Sequence, residues 1–313
     1  MRTTGLTMSK DVHVVATDER AVGTPGFDPL EVRESRTRKL RTLLPLAPAV
    51  VYLLLLYAAP LFGMALLSFG SPDFTPEHYQ RFATSESHLY VFYRTFLISL
   101  LATLSCLALG YPVAYQLTRV GRRARNLLLI GVLAPWIIST LVRTFAWMLL
   151  LGRRGPINET LLALGVIGEP LALLGTSTAV YIGLVYVHLP LAILPMFSVM
   201  LGIDPKYVRV AQSSGARPLQ AFRHVYFPLS LPGVAGAGLL LFIGNLGFYI
   251  TPLLLGGPGD LFIANLIDVQ IQSLLNWPYA SALGFILLGL TFLAFLVYNR
   301  YLELDKVMGG STS

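Results

Sequence analysis

Few residues inside this chain are able to do chemistry. Arg143 falls midway through a long apolar run, where a charge costs about 3 kcal/mol on insertion scales. Such a residue usually faces a cavity or a partner. A cationic ligand would be repelled there, which favours a structural role for Arg143, binding backbone carbonyls or a carboxylate of a neighbouring subunit; an anionic ligand would reverse that preference. Asn245 and Tyr249, one helical turn apart in another apolar run, would share a face. With Trp136 and Trp147, which flank Arg143, they would line a polar, aromatic path able to hold an ammonium by cation–π contact. Asp268 is the acidic residue of a polar stretch between two apolar runs, a candidate for contacting a cation or a docking partner, although a solvated loop carboxylate is the simpler reading. Helix packing and interfacial anchoring would account for the aromatic and amide residues as well. His188 sits between Val187 and Leu189, and the histidines have no metal-binding spacing such as H-E-x-x-H. Neither G-x-S-x-G nor G-x-x-x-x-G-K-[ST] occurs, so nucleophilic catalysis and ATP binding by this chain are unsupported, and no metal or cofactor is expected. The single cysteine, Cys106, lies in an apolar run and reads as a packing residue.

The elements that must position these residues follow from composition. Of 313 residues, 55% are hydrophobic and 12% charged, with a mean hydropathy of +0.66. A soluble domain carries about a quarter charged residues. This is an integral membrane protein. The net charge of +7 comes mainly from arginines beside apolar segments, which are orientation signals and no argument for nucleic acid. Residues 1–42 are polar and aperiodic, expected to be a largely disordered tail and not a signal peptide.

Segments at roughly 43–68, 95–118, 127–151, 179–203, 234–255 and 280–301 are long enough to cross a hydrocarbon core of about 20 residues. In lipid their backbone groups must be satisfied internally, so they are helices, kinked where prolines such as Pro112, Pro135, Pro190, Pro195 and Pro252 fall. Lysines and arginines concentrate in the tail, in the loop Arg119 to Arg125, in 203–234 and after Arg300, placing both termini and 203–234 in the cytoplasm. On the other side, 152–178 should carry a short interfacial helix, and 261–277 reads as a re-entrant or surface helix capping the outer face.

The stretch 203–234 is a basic island between two spans. Tyr207, Val210, Ala211 and Ser214 recur at helical spacing, Gly215 sits where a helix end wants a positive φ, and Pro218 suits the first position of a second helix. Leu219, Phe222 and Val225 or Tyr226 would form the apolar face of that helix, and Pro228 would end it.

This island resembles the EAA loop of bacterial ABC importer permeases, E-A-A-x3-G-x9-I-x-L-P, with the spacing kept without a gap from Arg209, Val210 and Ala211 through Gly215 to Val225, Phe227 and Pro228. Arg209 stands where the family has Glu, Val210 where it has its first Ala and Phe227 where it has Leu; the loss of Glu removes the ion pair that residue would make. The stretches 141–147, 155–158, 249–257 and 276–278 look like the spermidine/putrescine branch in particular.

The resemblance implies an all-α, six-helix type I importer permease of an inner membrane. Its domains would be a tail at 1–42, a first helix and external loop at 43–94, a five-helix core at 95–303 with the coupling loop at 203–234, and a tail at 304–313. Tyr207, Arg209, Val210, Ala211, Gly215, Ala216, Pro218, Phe222 and Pro228 would then belong to a coupling element docked on a cytoplasmic ATP-binding subunit, present in two copies. A second permease chain, the same or different, and a periplasmic solute-binding protein would complete the machine, with ATP held by the partner. The solute implied is a polyamine; an amino acid-like, phosphonate or other anionic solute is the alternative. An autonomous secondary transporter would instead need inverted repeats or paired intramembrane acids, and neither is evident.

Overall fold

The structure, a computed structural model, describes residues 47–70 and 74–302. The expected tails at 1–42 and 304–313 lie outside these residues. The chain divides into two units, Met1–Ala59 and Pro60–Ser313. In the first, the described residues form the opening of α1 (Ala47–Ser68), apolar from Ala47 to Ala59.

In the second unit, α1 ends and α2 (Glu77–Thr84) follows, joined by a hydrogen bond of 3.0 Å between the Ser68 and Tyr79 hydroxyls. The long α3 (Glu86–Arg119) packs against α7 (Ser177–Leu201) and α10 (Phe227–Leu246), and this trio forms the core. Around Gly110, Met196, Ala192 and Ile193 close directly on the backbone, while Cys106, Ala114 and Leu241 complete one cluster. A second cluster, with Ile98, Ala102, Val180 and Leu184, reaches Leu255 and Phe262. Small residues set these approaches. A Cβ on Gly233 would stand 2.8 Å from Val199 Cβ and 3.3 Å from the Met196 Cα, neither of which is a free side-chain end. Gly233→Ala is therefore expected to destabilise the bundle by about 1–3 kcal/mol through overpacking; an unchanged thermal unfolding midpoint of the purified subunit would refute the tight α7–α10 approach.

Five described helices are long and apolar enough to cross a membrane, and six if one bent pair counts as a span. That pair corrects the expected third span. Instead of a continuous helix over 127–151, α4 (Arg122–Ile137) and α5 (Thr140–Leu151) are separated by a break, across which α4 and the segment Thr140–Ala163 bend by 90°. Pro135, two residues before the helix ends, was an expected kink, but the sequence did not show that the span would break completely there. The fifth span is corrected too: α10 stops at Leu246, and α11 (Ile250–Leu255) resumes after a three-residue gap. In the outer loops, α6 (Pro156–Ala163) and α12 (Ile263–Gln272) form where short helices were expected, and α12 packs on the final helix, α13 (Trp277–Leu302).

Candidate functional site

The loop between α7 and α10 is built from its caps. Asp204 opens α8 (Pro205–Ser213), its carboxylate accepting the Lys206 N–H at 2.8 Å, with Pro205 at a position where the missing N–H is harmless. The helix closes at Gly215, whose φ of +92° lies in the left-handed region; the Gly215 N–H donates to the Gln212 carbonyl at 3.0 Å and the Ala216 N–H to that of Ala211 at 3.1 Å. Next, α9 (Pro218–Ala221) starts on Pro218, while the Arg217 N–H donates to Gln220 Oε1 at 2.9 Å.

The second helix does not end at Pro228, contrary to the sequence expectation. A π turn over Phe222–Tyr226 joins α9 directly to α10, and Pro228 is the second residue of the latter. Proline lacks an N–H and its ring collides with the carbonyl one turn back. The wider turn, with the Phe227 N–H donating to Phe222 O, relieves that conflict and lets 218–246 run as one span.

Side-chain directions in the loop divide sharply. Tyr207, Val210 and Leu219 are 59%, 64% and 76% exposed, Arg209 is exposed, and Ala211 and Ala216 are half-buried. Val208, which sequence reasoning overlooked, turns inward to the core with Phe222 and Ile203. Leu219, expected on one apolar face with Phe222, parts from it: Leu219 points outward while Phe222 packs on the core. Phe222 and Tyr226 stack at 5.8 Å and meet Tyr115 of α3 edge-on at 5.5 and 5.1 Å, fastening the loop to a span.

The candidates within the spans are not one constellation. Arg143 is only 5% exposed, in the first turn of α5, and its Nη2 donates to the Ile138 carbonyl at 3.1 Å and to Thr140 Oγ1 at 3.3 Å. It thus satisfies a carbonyl left free by the broken helix, and its positive charge suits that C-terminal end of α4. Its Nε and Nη1 are buried without a partner among the described residues. Trp136 is exposed on α4, whereas Trp147 packs edge-on against Tyr186 at 5.3 Å. Asn245 is fully buried and donates to Thr103 Oγ1 at 3.2 Å, between α10 and α3. The expected common face of Asn245 and Tyr249 is absent because α10 ends between them.

Tyr249 finds a different neighbour. Its hydroxyl donates to the Asp268 carboxylate of α12 at 2.9 Å, and its carbonyl accepts from Asn265 Nδ2 at 3.0 Å. Asp268 is therefore half-buried and hydrogen-bonded, correcting the solvated-loop reading. Asn265 was missed; its only sequence signal was a polar residue at helical spacing from Asp268. Also missed was the cluster in which the Arg94 guanidinium binds Asp260, Ser177 and the Gly259 carbonyl. Arg94 and Asp260 are 166 residues apart, so no local spacing links them. His188 bonds the Leu184 carbonyl through Nδ1 at 3.0 Å and meets the Phe248 ring edge-on. Among the described residues, no group of three His, Cys, Asp or Glu side chains is arranged to hold a metal ion.

Residues 106–303, from mid-α3 to the end of α13, match the family described as the binding-protein-dependent transport system inner membrane component. The chain belongs to this family. It is an inner-membrane permease subunit of an ABC importer. The spermidine/putrescine transport system permease protein PotB of Escherichia coli (strain K12) is 35% identical over 233 residues, 74% of this chain and 84% of that protein. The inner membrane ABC transporter permease protein YdcU of the same organism is 30% identical over 230 residues, 69% of this chain and 70% of its own length. A solved bacterial alginate ABC transporter, in complex with alginate pentasaccharide-bound periplasmic protein, shares the fold with a TM-score of 0.71 at 17% identity, over 90% of this chain and 99% of the matched one.

Proposed function

We propose that this subunit imports linear polyamines. The loop 203–234 and both termini face the cytoplasm, α8 docks on an ATP-binding subunit present in two copies, a second permease chain completes the pathway, and a periplasmic binding protein delivers the solute. The observation that carries the cargo is the 35% identity to a spermidine/putrescine permease over 84% of that protein. The orientation draws on the basic residues of the loop. Docking draws on the outward-facing Tyr207 and Val210 beside the rigid Gly215 turn. Closure of the ATP-binding subunits would draw the two docked helices together and switch the pathway outward; release of ADP and phosphate would return it inward.

For a protonated amine the chain offers the Asp268 carboxylate, oriented by Tyr249, as a charge-assisted partner. The test uses the complete transporter in nanodiscs with its loaded binding protein. Spermidine or putrescine should stimulate ATP hydrolysis, and Asp268→Asn should lower that stimulation about tenfold or more, as expected for losing a hydrogen bond to a charged group. A second reading, an anionic cargo, draws on the unpartnered Nε and Nη1 of Arg143. Stimulation by an anion and by neither polyamine would overturn the cargo while leaving the family membership intact.

A further inference from the structure

A cleft of about 690 Å³ lies behind α8, between the last turns of α3 and α7 and the start of the segment 218–246. Its walls have two characters. Met200, Leu201 and Ile203, where α7 ends, give an apolar side, and Tyr115 and Phe222 add aromatic faces. The polar lining comes from Arg119, Arg209, Thr118, Gln212 and the Tyr226 hydroxyl. Among the described residues, no carboxylate lines the cleft. Arg119, the last residue of α3, lies 4.8 Å above the Tyr115 ring and donates to its hydroxyl at 2.6 Å, which holds one guanidinium at the mouth.

An independent observation marks the interior as a polar site. Tyr226 is 5% exposed, and its hydroxyl makes no hydrogen bond of good geometry among the described residues; its neighbour Thr118 donates to the Tyr115 carbonyl at 2.7 Å instead. A buried hydroxyl left unpaired is unfavourable unless a ligand or water completes it. The cleft therefore combines two cations, an unsatisfied hydroxyl and an apolar wall, at the ends of α3 and α7.

We propose that this cleft binds the phosphate of an anionic phospholipid headgroup, with the lipid glycerol and first acyl carbons against Met200 and Leu201. A basic pocket between span ends is suited to such a headgroup. The volume and the apolar wall favour a lipid over an isolated carboxylate, which would leave most of the cleft empty. Because Arg209 belongs to α8, a bound headgroup braces the docking helix from behind. Anionic lipid would then strengthen the transmission of ATP-driven movement. The inference rests on the cytoplasmic orientation proposed above.

The test compares the complete transporter in nanodiscs of phosphatidylcholine with and without phosphatidylglycerol. Wild type is expected to retain phosphatidylglycerol through native mass spectrometry in preference to phosphatidylcholine and to gain thermal stability from it. Arg119→Gln should weaken that preference about fivefold. Tyr226→Phe, which removes only the unpaired hydroxyl, should reduce the phosphatidylglycerol-dependent gain while leaving the melting temperature in phosphatidylcholine the same or higher. Equal lipid retention by wild type and both variants would overturn the proposal. So would occupancy by glycerol 3-phosphate alone in phosphatidylcholine nanodiscs with no preference for the lipid, since the ligand is then a free anion. Loss of ATP-binding-subunit assembly by Arg119→Gln in both lipids would assign the arginine to that subunit and also overturn it. Polyamine-stimulated hydrolysis is not the readout, so failure here is distinct from failure of the cargo assignment.

Discussion

Gly215→Pro is expected to leave the subunit inserted in the membrane and to reduce binding-protein-stimulated ATP hydrolysis to the unstimulated level. Proline fixes φ near −65°, whereas Gly215 holds +92°, and the substitution also removes the N–H that donates to Gln212 O. The turn cannot form with that residue, so Tyr207 and Val210 lose their fixed direction relative to the following helix. Nothing lies within 4 Å of a Cβ built on Gly215, so the obstacle is the backbone and not space. A graded series follows. Gly215→Ala meets only the left-handed penalty of about 1–2 kcal/mol, and Gly215→Asn less, since Asn tolerates positive φ best among the other residues. Stimulated hydrolysis should fall in the order Gly, Asn, Ala, Pro, measured beside surface expression and unstimulated hydrolysis. Full coupling in Gly215→Pro would remove the loop from the transmission pathway.

The second large effect lies at the opposite end of the spans. Arg94 on α3 binds Asp260, Ser177 at the start of α7 and the Gly259 carbonyl, while Asp260 Oδ2 also accepts the Gly257 N–H at 2.9 Å. The Ser177 hydroxyl donates to Asp260 Oδ1 at 2.7 Å. One ion pair therefore ties α3 and α7 to the turn before α12. The two side chains are 17% and 8% exposed, so solvent screens the pair only in part. Removing either partner strands the other charge, and Arg94→Ala or Asp260→Ala should each destabilise the subunit by about 3 kcal/mol, the low end for a buried pair. The double variant should cost clearly less than the sum, because no stranded charge remains. Thermal unfolding of the four proteins in detergent measures this. Additive losses would mean that the two residues act separately.

Much of the chain could be read without a structure because the signals are local. Apolar length marks a span, a missing N–H makes Pro205 and Pro218 helix starters, and the need for positive φ fixes Gly215 at the close of α8. The spacing from Arg209 to Pro228 then led to the family, to which residues 106–303 match. Pro228 shows the limit of that reading. Its intrinsic tendency to break a helix is real, yet a π turn formed by the preceding residues absorbs it.

What only the tertiary structure decided was direction and partnership. A span apolar on every side carries no stripe to say which face is inward, so the burial of Asn245 against Thr103 depended on neighbouring helices; the inward turn of Val208, in the polar α8, depended on how that helix lies against the core. The 90° break after Ile137 falls within continuous hydropathy, and Arg143 became legible as its cap only once the free Ile138 carbonyl was located. Arg94 and Asp260 lie 166 residues apart, and Tyr249 meets Asp268 across a chain reversal. Residue type and spacing thus determined a membrane-embedded importer subunit with a glycine-hinged loop. Which polar groups satisfy one another was set by packing, because in a low-dielectric interior each must find a partner wherever the fold supplies one.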